Sequence, residues 1–294
     1  MGRALFFLAL CAVLLSCLWQ LRAQQETPSS SSAAECSTCH EPIFQKARLS
    51  PHAQSIAAKW KSEPDSRACL SCHRDAEKHA QTGDPADVAH PFREMPVKQA
   101  SEVCLSCHDN QRNTVFWDAS VHDKEDLSCL SCHNVHQSTE VRLLRGRNEL
   151  ETCAPCHANL RLALFQRSRH PIREGKIECS SCHNPHGAPT ERLVSAQSIN
   201  DKCYECHTEL RGPFLWEHSP VRENCLTCHQ PHGSTHVRLL RTRLESLCQS
   251  CHMQGRHQTV AGPPNSVFVM NKACANCHSQ VHGSNHPSGI NLQR

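Results

Sequence analysis

Residues 136–157 read HQSTEVRLLRGRNELETCAPCH, residues 232–252 read HGSTHVRLLRTRLESLCQSCH, and a looser third copy, HGAPTERLVSAQSINDKCYECH, opens at His186. The copies recur every ~45–50 residues, and each period holds two CxxCH units. The chain is therefore a quasi-linear array whose modules pack mainly on their neighbours.

Working outward, ten CxxCH units are found: Cys36-Cys39-His40, Cys69-Cys72-His73, Cys104-Cys107-His108, Cys129-Cys132-His133, Cys153-Cys156-His157, Cys179-Cys182-His183, Cys203-Cys206-His207, Cys225-Cys228-His229, Cys248-Cys251-His252 and Cys274-Cys277-His278. Only Cys11 and Cys17, near the N-terminus, fall outside them. CxxCH is the attachment motif of haem c. The two thiols form thioethers with the haem vinyl groups, and the adjacent histidine becomes the proximal iron ligand. Structural zinc would give no role to a histidine after every second cysteine. Disulfides would not make cysteine spacing and histidine coincide ten times. A thioredoxin-like motif would need a βαβ scaffold, and none is evident.

Aromatic residues make up 4% of the chain, too few for a conventional core. Ten covalent haems would supply the missing interior. Lys and Arg number 31 against 28 Asp and Glu, and Arg3 and Arg22 lie in the leader. Two propionates per haem would then make the mature protein acidic, which argues against a nucleic-acid partner. Met1 to Ala23 reads as a secretory signal peptide: Arg3, an apolar run from Ala4 to Leu18, and cleavage after Ala23. Leu14-Leu15-Ser16-Cys17 also loosely resembles a lipobox, which leaves lipidation at Cys17 open. Residues 24–35, with Ser29 to Ser32 unbroken, read as a disordered tether, and 36–294 as the cytochrome domain. Short helices are expected at Ser55–Trp60 and Asn159–Ser168, with no alternating strands.

The sixth ligand of each iron separates a wire from an enzyme. One candidate follows each motif: His52, His79, His122, His136, His170, His186, His218, His232, His257 and His282. Their distances from the preceding proximal histidine alternate between long and short, breaking only at His257. That alternation implies five two-haem modules, near 36–90, 104–136, 153–186, 203–232 and 248–286. A histidine three residues beyond a proximal ligand cannot readily reach the far face of the same haem, so it is expected on a neighbour's iron. His90, His236 and His286 are spares, and Met95, Met253 and Met270, which could serve as axial ligands, are expected to be packing residues because histidine is in surplus. Histidine on both faces of every iron leaves no position for substrate, so the expectation is an electron carrier with no catalytic residues. Arg142, Arg145, Arg147, Arg238, Arg241 and Arg243 are either propionate partners or a solvated face.

With CSSCHNPHG at Cys179, CLTCHQPHG at Cys225 and the closing CANCHSQVHGSNHPSG from Cys274, the chain resembles the MtrA/DmsE family of periplasmic decahaem cytochromes. The resemblance spans essentially the whole mature chain and is weakest at the first motif pair, where CHRDAEKH stands. It implies a mostly irregular, short-helical multihaem cytochrome c wrapped around a linear file of ten haems, located in the periplasm and associated with the outer membrane. It also implies an outer-membrane β-barrel porin as partner, with periplasmic and outer-surface cytochromes exchanging electrons through it. Ten haems stacked no closer than the ~4.5–7 Å of offset aromatic rings reach at least about 40–60 Å, against a hydrocarbon core of ~30 Å. A reductase of nitrogen or sulfur oxyanions, and a subunit of an extracellular filament, are the alternatives.

Overall fold

The computed structural model describes residues 35–60, 67–74, 76–88, 92–136, 142–253 and 274–293. The leader and nearly all of the expected tether lie outside the described residues, as do His90, His257 and Met270. Glu35, assigned to the tether, already opens the first helix. The chain divides into two compact units, residues 1–95 with 135–137, and 96–134 with 138–294.

One helical turn generates most of the architecture. Cys, Cys and His at i, i+3 and i+4 share a helix face, so a single turn presents two sulfurs and an imidazole to the same side. That turn closes in motif after motif. The His73 N–H donates to the Cys69 carbonyl at 2.8 Å, and the same bond recurs in the motifs opening at Cys129, Cys153, Cys179, Cys203, Cys225, Cys248 and Cys274.

In the first unit, Glu35–Ala47 is a helix kinked at His40, with Pro42 inside it. Pro51–Trp60 is the helix expected from Ser55, and it starts earlier because Ser50 accepts from the Ala53 N–H and Pro51 needs no donor partner in a first turn. Its Ala53 and Ala57, four apart, are buried. Glu77–Thr82 is closed by Gly83 at φ 70°.

The second unit opens with the 12-residue helix Val97–His108 and continues in helices of four to six residues and 3-10 turns. The helix expected over Asn159–Ser168 runs over Ala158–Ala163. After the second motif of each of three modules, the chain doubles back in the same way. Asn134, Asn184 and Gln230 donate to the carbonyls of Leu143, Leu193 and Leu239 at 2.7–2.8 Å, and Arg145, Ser195 and Arg241 donate to those of Cys132, Cys182 and Cys228. Left-handed residues make this return: Leu143, the pair Arg192 and Leu193, and the pair Arg238 and Leu239, all at φ 56–58°. Each costs about 1–2 kcal/mol on a non-glycine residue.

Successive modules are joined by paired backbone bonds, Ser168 with Ser234 at 2.8–3.0 Å and Trp216 with Ser284 at 2.8–2.9 Å. These are isolated bridges, and no strand forms among the described residues. The glycines after His186, His232 and His282 permit the approach. A Cβ on Gly233 would stand 1.9 Å from the Ala163 carbonyl oxygen, and one on Gly187 2.3 Å from that of Phe116. Apolar burial is thin: among the described residues the core comprises Ala53, Ala57, Ala100, Trp117, Leu143, Leu164, Val194 and Leu240.

Gly233→Ala should therefore destabilise the holoprotein by about 1–3 kcal/mol in denaturant titrations, as overpacking does. Gly175→Ala, where φ is +66° but nothing lies within 4 Å, is expected to cost only the backbone's ~1–2 kcal/mol.

Candidate haem-ligand site

Once the turns are formed, the histidines meet in pairs. His40 faces His79 with ring centroids 6.1 Å apart, and His73 faces His136 at 5.8 Å. In the second unit the pairs are His122 with His157, His133 with His186, His170 with His207, His183 with His232, His218 with His252 and His229 with His282, at 5.9–6.3 Å. Each pair joins one motif histidine to one candidate. An ion held between two imidazoles by bonds of ~2.0–2.1 Å, with a ring radius of about 1.1 Å on each side, needs centroids about 6.3 Å apart. The residues present thus fit an iron held from both faces.

The pairing follows a rule. A short-offset histidine reaches back to an earlier module's second motif, as His186 does to His133, His232 to His183 and His282 to His229. A long-offset histidine reaches forward to the next module's first motif, as His122 does to His157, His170 to His207 and His218 to His252. The first pair departs from the rule, because His79 faces the first histidine of its own module. His52 sits on Pro51–Trp60. Of the spares, His236 and His286 sit beside serine: their backbone N–H groups donate to the Ser234 and Ser284 hydroxyls.

Backbone carbonyls orient the rings. Nδ1 of His133, His183 and His229 lies 2.8–2.9 Å from the carbonyls of Arg142, Arg192 and Arg238, on the left-handed return loops. His278 has the Asn291 carbonyl in that role. Nδ1 of the forward-reaching His122, His170 and His218 lies 2.7–3.0 Å from the carbonyls of Pro185, Pro231 and Val281. Each of those carbonyls immediately precedes a short-offset histidine, so one dipeptide serves two ligand pairs. A ring that donates Nδ1–H to a carbonyl presents Nε2 as the ligand lone pair. Sequence reasoning missed these acceptors, although Pro-His or Val-His before glycine recurs at His186, His232 and His282.

Burial pushes His73, His136, His186, His232 and His282 below the ordinary imidazole range, and for all but His136 the facing histidine pushes further. These five rings are accordingly neutral near pH 7, as ligation requires.

The cysteines connect one motif to the next. Here the thiols stand for the sulfurs that thioether bonds would use. Cys104 hydrogen-bonds Cys129 and draws its thiol down to about 6, and Cys203 draws Cys225 down to about 7. The Cys153–Cys179 contact pushes Cys153 up and Cys179 down. Cys248, pushed up to about 11, owes this to burial and then to Cys274. Between modules, Cys132 feels Cys156, Cys182 feels Cys203 and Cys206, and Cys228 feels Cys251. Hydrogen-bonded cysteine pairs thus recur at Cys104–Cys129, Cys153–Cys179, Cys203–Cys225 and Cys248–Cys274, and each pair lies within electrostatic range of the next.

The arginines divide. Arg142 pairs with Glu149 and Glu178, and Arg147 with Glu151, so protein carboxylates hold both. Arg145 and Arg241 donate to the carbonyls of Leu130 and Leu226, inside the neighbouring motif turns. Arg142→Ala should cost about 1–3 kcal/mol, because Glu149 is buried and would lose its charged partner. Arg147→Ala, at a side chain 88% exposed, is expected to leave the denaturation midpoint unchanged.

A model of doubled CXXCH motifs matches residues 170–212 and 218–257, and one of NrfB-like c-type cytochromes matches residues 69–156. The multiheme cytochrome MtrA of Shewanella baltica is 39% identical over 276 residues, covering 90% of this chain and 82% of that protein. The cytochrome c-type protein NrfB of Escherichia coli is 25% identical over 159 residues, covering 49% of this chain and 82% of its own. With that identity over nearly its full length and histidine pairs spaced for iron, the chain belongs to the MtrA family of multihaem c-type cytochromes, short-helical haem proteins that carry electrons and are not enzymes.

Proposed function

We propose that this chain conducts electrons through ten haems c, each closed by histidine on both faces. The observation that carries this reading is the recurrence of facing histidine rings at 5.8–6.3 Å across eight motifs. The twenty motif cysteines attach the haems, and His40, His73, His108, His133, His157, His183, His207, His229, His252 and His278 are the proximal ligands. His79, His136, His186, His122, His232, His170, His282 and His218 are the distal ligands opposite their facing partners. His52, and His257 outside the described residues, are the other two distal ligands. Haem supplies a one-electron iron couple, and the protein's part is to saturate the iron and keep neighbouring sites close. Histidine pairs that link each CxxCH pair to the one before or after it support a linear file rather than a branched cluster.

The five modules keep the boundaries near 36–90, 104–136, 153–186, 203–232 and 248–286, and each of the last four holds one hydrogen-bonded pair of cysteines. After export by the leader, the protein works in the periplasm at the outer membrane. There a β-barrel porin sheathes it, because propionates and loop backbone do not tolerate lipid. Among the described residues no helix is long and apolar enough to cross a membrane.

Low-temperature electron paramagnetic resonance of the oxidised, haem-loaded protein tests the reading. Only low-spin signals are expected. His232→Ala should convert one haem to high spin, whereas His236→Ala should convert none. A stoichiometric high-spin haem in the unaltered protein would overturn the conduit in favour of a catalytic site. Co-purification with a β-barrel protein tests the porin.

A further inference from the structure

The pair of motifs at Cys153 and Cys179 is held by a side chain that the ligand scheme does not use. Glu149 begins the short helix Glu149–Cys153, so it lies four residues before Cys153 on the same face. Its carboxylate accepts the Ser180 backbone N–H at 2.7 Å and also the Ser180 hydroxyl, one residue beyond Cys179. The residue is 9% exposed. It is thus wedged between the attachment turns of the fifth and sixth motifs of the chain. Its field reaches both cysteines, discouraging the thiolate at each.

Arg142 is the counter-charge, but its side chain is 42% exposed and its guanidinium is shared with Glu178, which precedes Cys179 directly. Two carboxylates against one guanidinium leave the cluster at net −1, with the buried charge nearest the motifs. The next module builds the same clamp without charge. Asn200, three residues before Cys203, accepts the Cys225 N–H at 2.8 Å and donates to the carbonyls of Val221 and Arg222. A carboxylate is therefore not required for the clamp.

We infer that Glu149 is an electrostatic positioning residue that lowers the reduction potentials of the haems at Cys153 and Cys179, setting a low-potential step at the middle of the file. A fixed negative charge in a partly desolvated site stabilises the ferric over the ferrous state, since reduction there adds an electron beside it. The step faces electrons arriving from either end. This inference rests on the conduit reading of the chain.

Spectropotentiometric titration of the holoprotein, with electron paramagnetic resonance of the oxidised state to count low-spin haems, tests it. Glu149→Gln keeps the acceptor for Ser180 and should move the fraction of the titration carried by two haems to more positive potential, all haems remaining low-spin. Asn200→Asp, which adds the charge to the neighbouring clamp, should move a two-haem fraction to more negative potential. A Glu149→Gln titration superimposable on the unaltered protein overturns the inference and leaves Glu149 a structural clamp. If Glu149→Gln fails to load haem, Asn200→Asp decides, and an unshifted titration overturns it equally. A high-spin haem in the unaltered protein would instead strike at the conduit reading, while the direction of the Glu149→Gln shift would still be readable.

Discussion

Everything in this protein depends on holding two imidazoles with ring centroids about 6 Å apart, many times over. One of each pair is positioned locally, by the helical turn in which the motif histidine N–H bonds the first cysteine carbonyl. The other arrives from far along the chain. The separation between His122 and the Pro185 carbonyl that orients it spans 63 residues. Local geometry thus supplies half of each site, and module packing supplies the other half.

That division explains where the polypeptide accepts backbone strain. The left-handed Arg192-Leu193 and Arg238-Leu239 turns would be unfavourable in isolation, yet each carries a carbonyl onto the Nδ1 of a motif histidine. Strain at these residues secures the ring's tautomer and direction, which an ordinary loop would leave free. The glycines after His186, His232 and His282 act on the other side of the same arrangement. They let the Phe116 and Ala163 backbone and the Phe214 side chain come within contact of the ligand loops.

Alternation gives the file its mechanical continuity. From the second CxxCH pair onward, the chain reaches backward with one histidine and forward with another, so apart from His40 with His79 each facing pair is completed by a neighbour. The dipeptides Pro185-His186 and Pro231-His232 each serve two ligand pairs, and disturbing either would reach both. Polar clamps tie the two motifs within a module, and they differ in charge from one module to the next, as Glu149 and Asn200 show. The repeat is therefore a common scaffold on which single side chains tune individual positions.

Legibility in the sequence followed the reach of the interaction. Attachment cysteines and motif histidines were readable because CxxCH is one helical turn and needs nothing distant. The alternating offsets also suggested two-haem modules and a histidine that serves a neighbour when it lies three residues past a motif; in the fold His186 lies beside His133, with ring centroids 5.9 Å apart. The helix edges at Pro51 and Ala163 were misjudged, because a serine cap and a module junction set them rather than periodicity. Partner identity was not readable at all: that His122 meets His157 while His136 meets His73 depends on how modules stack. Nor could the sequence show that Arg142 is spent on Glu149 and Glu178, since those carboxylates lie 7 and 36 residues away. By itself, then, the sequence determined the chemistry of attachment and the repeat, both encoded within a single turn or period. Tertiary structure alone decided which rings face each other and which charges lie beside them, because those contacts exist only once separated segments pack.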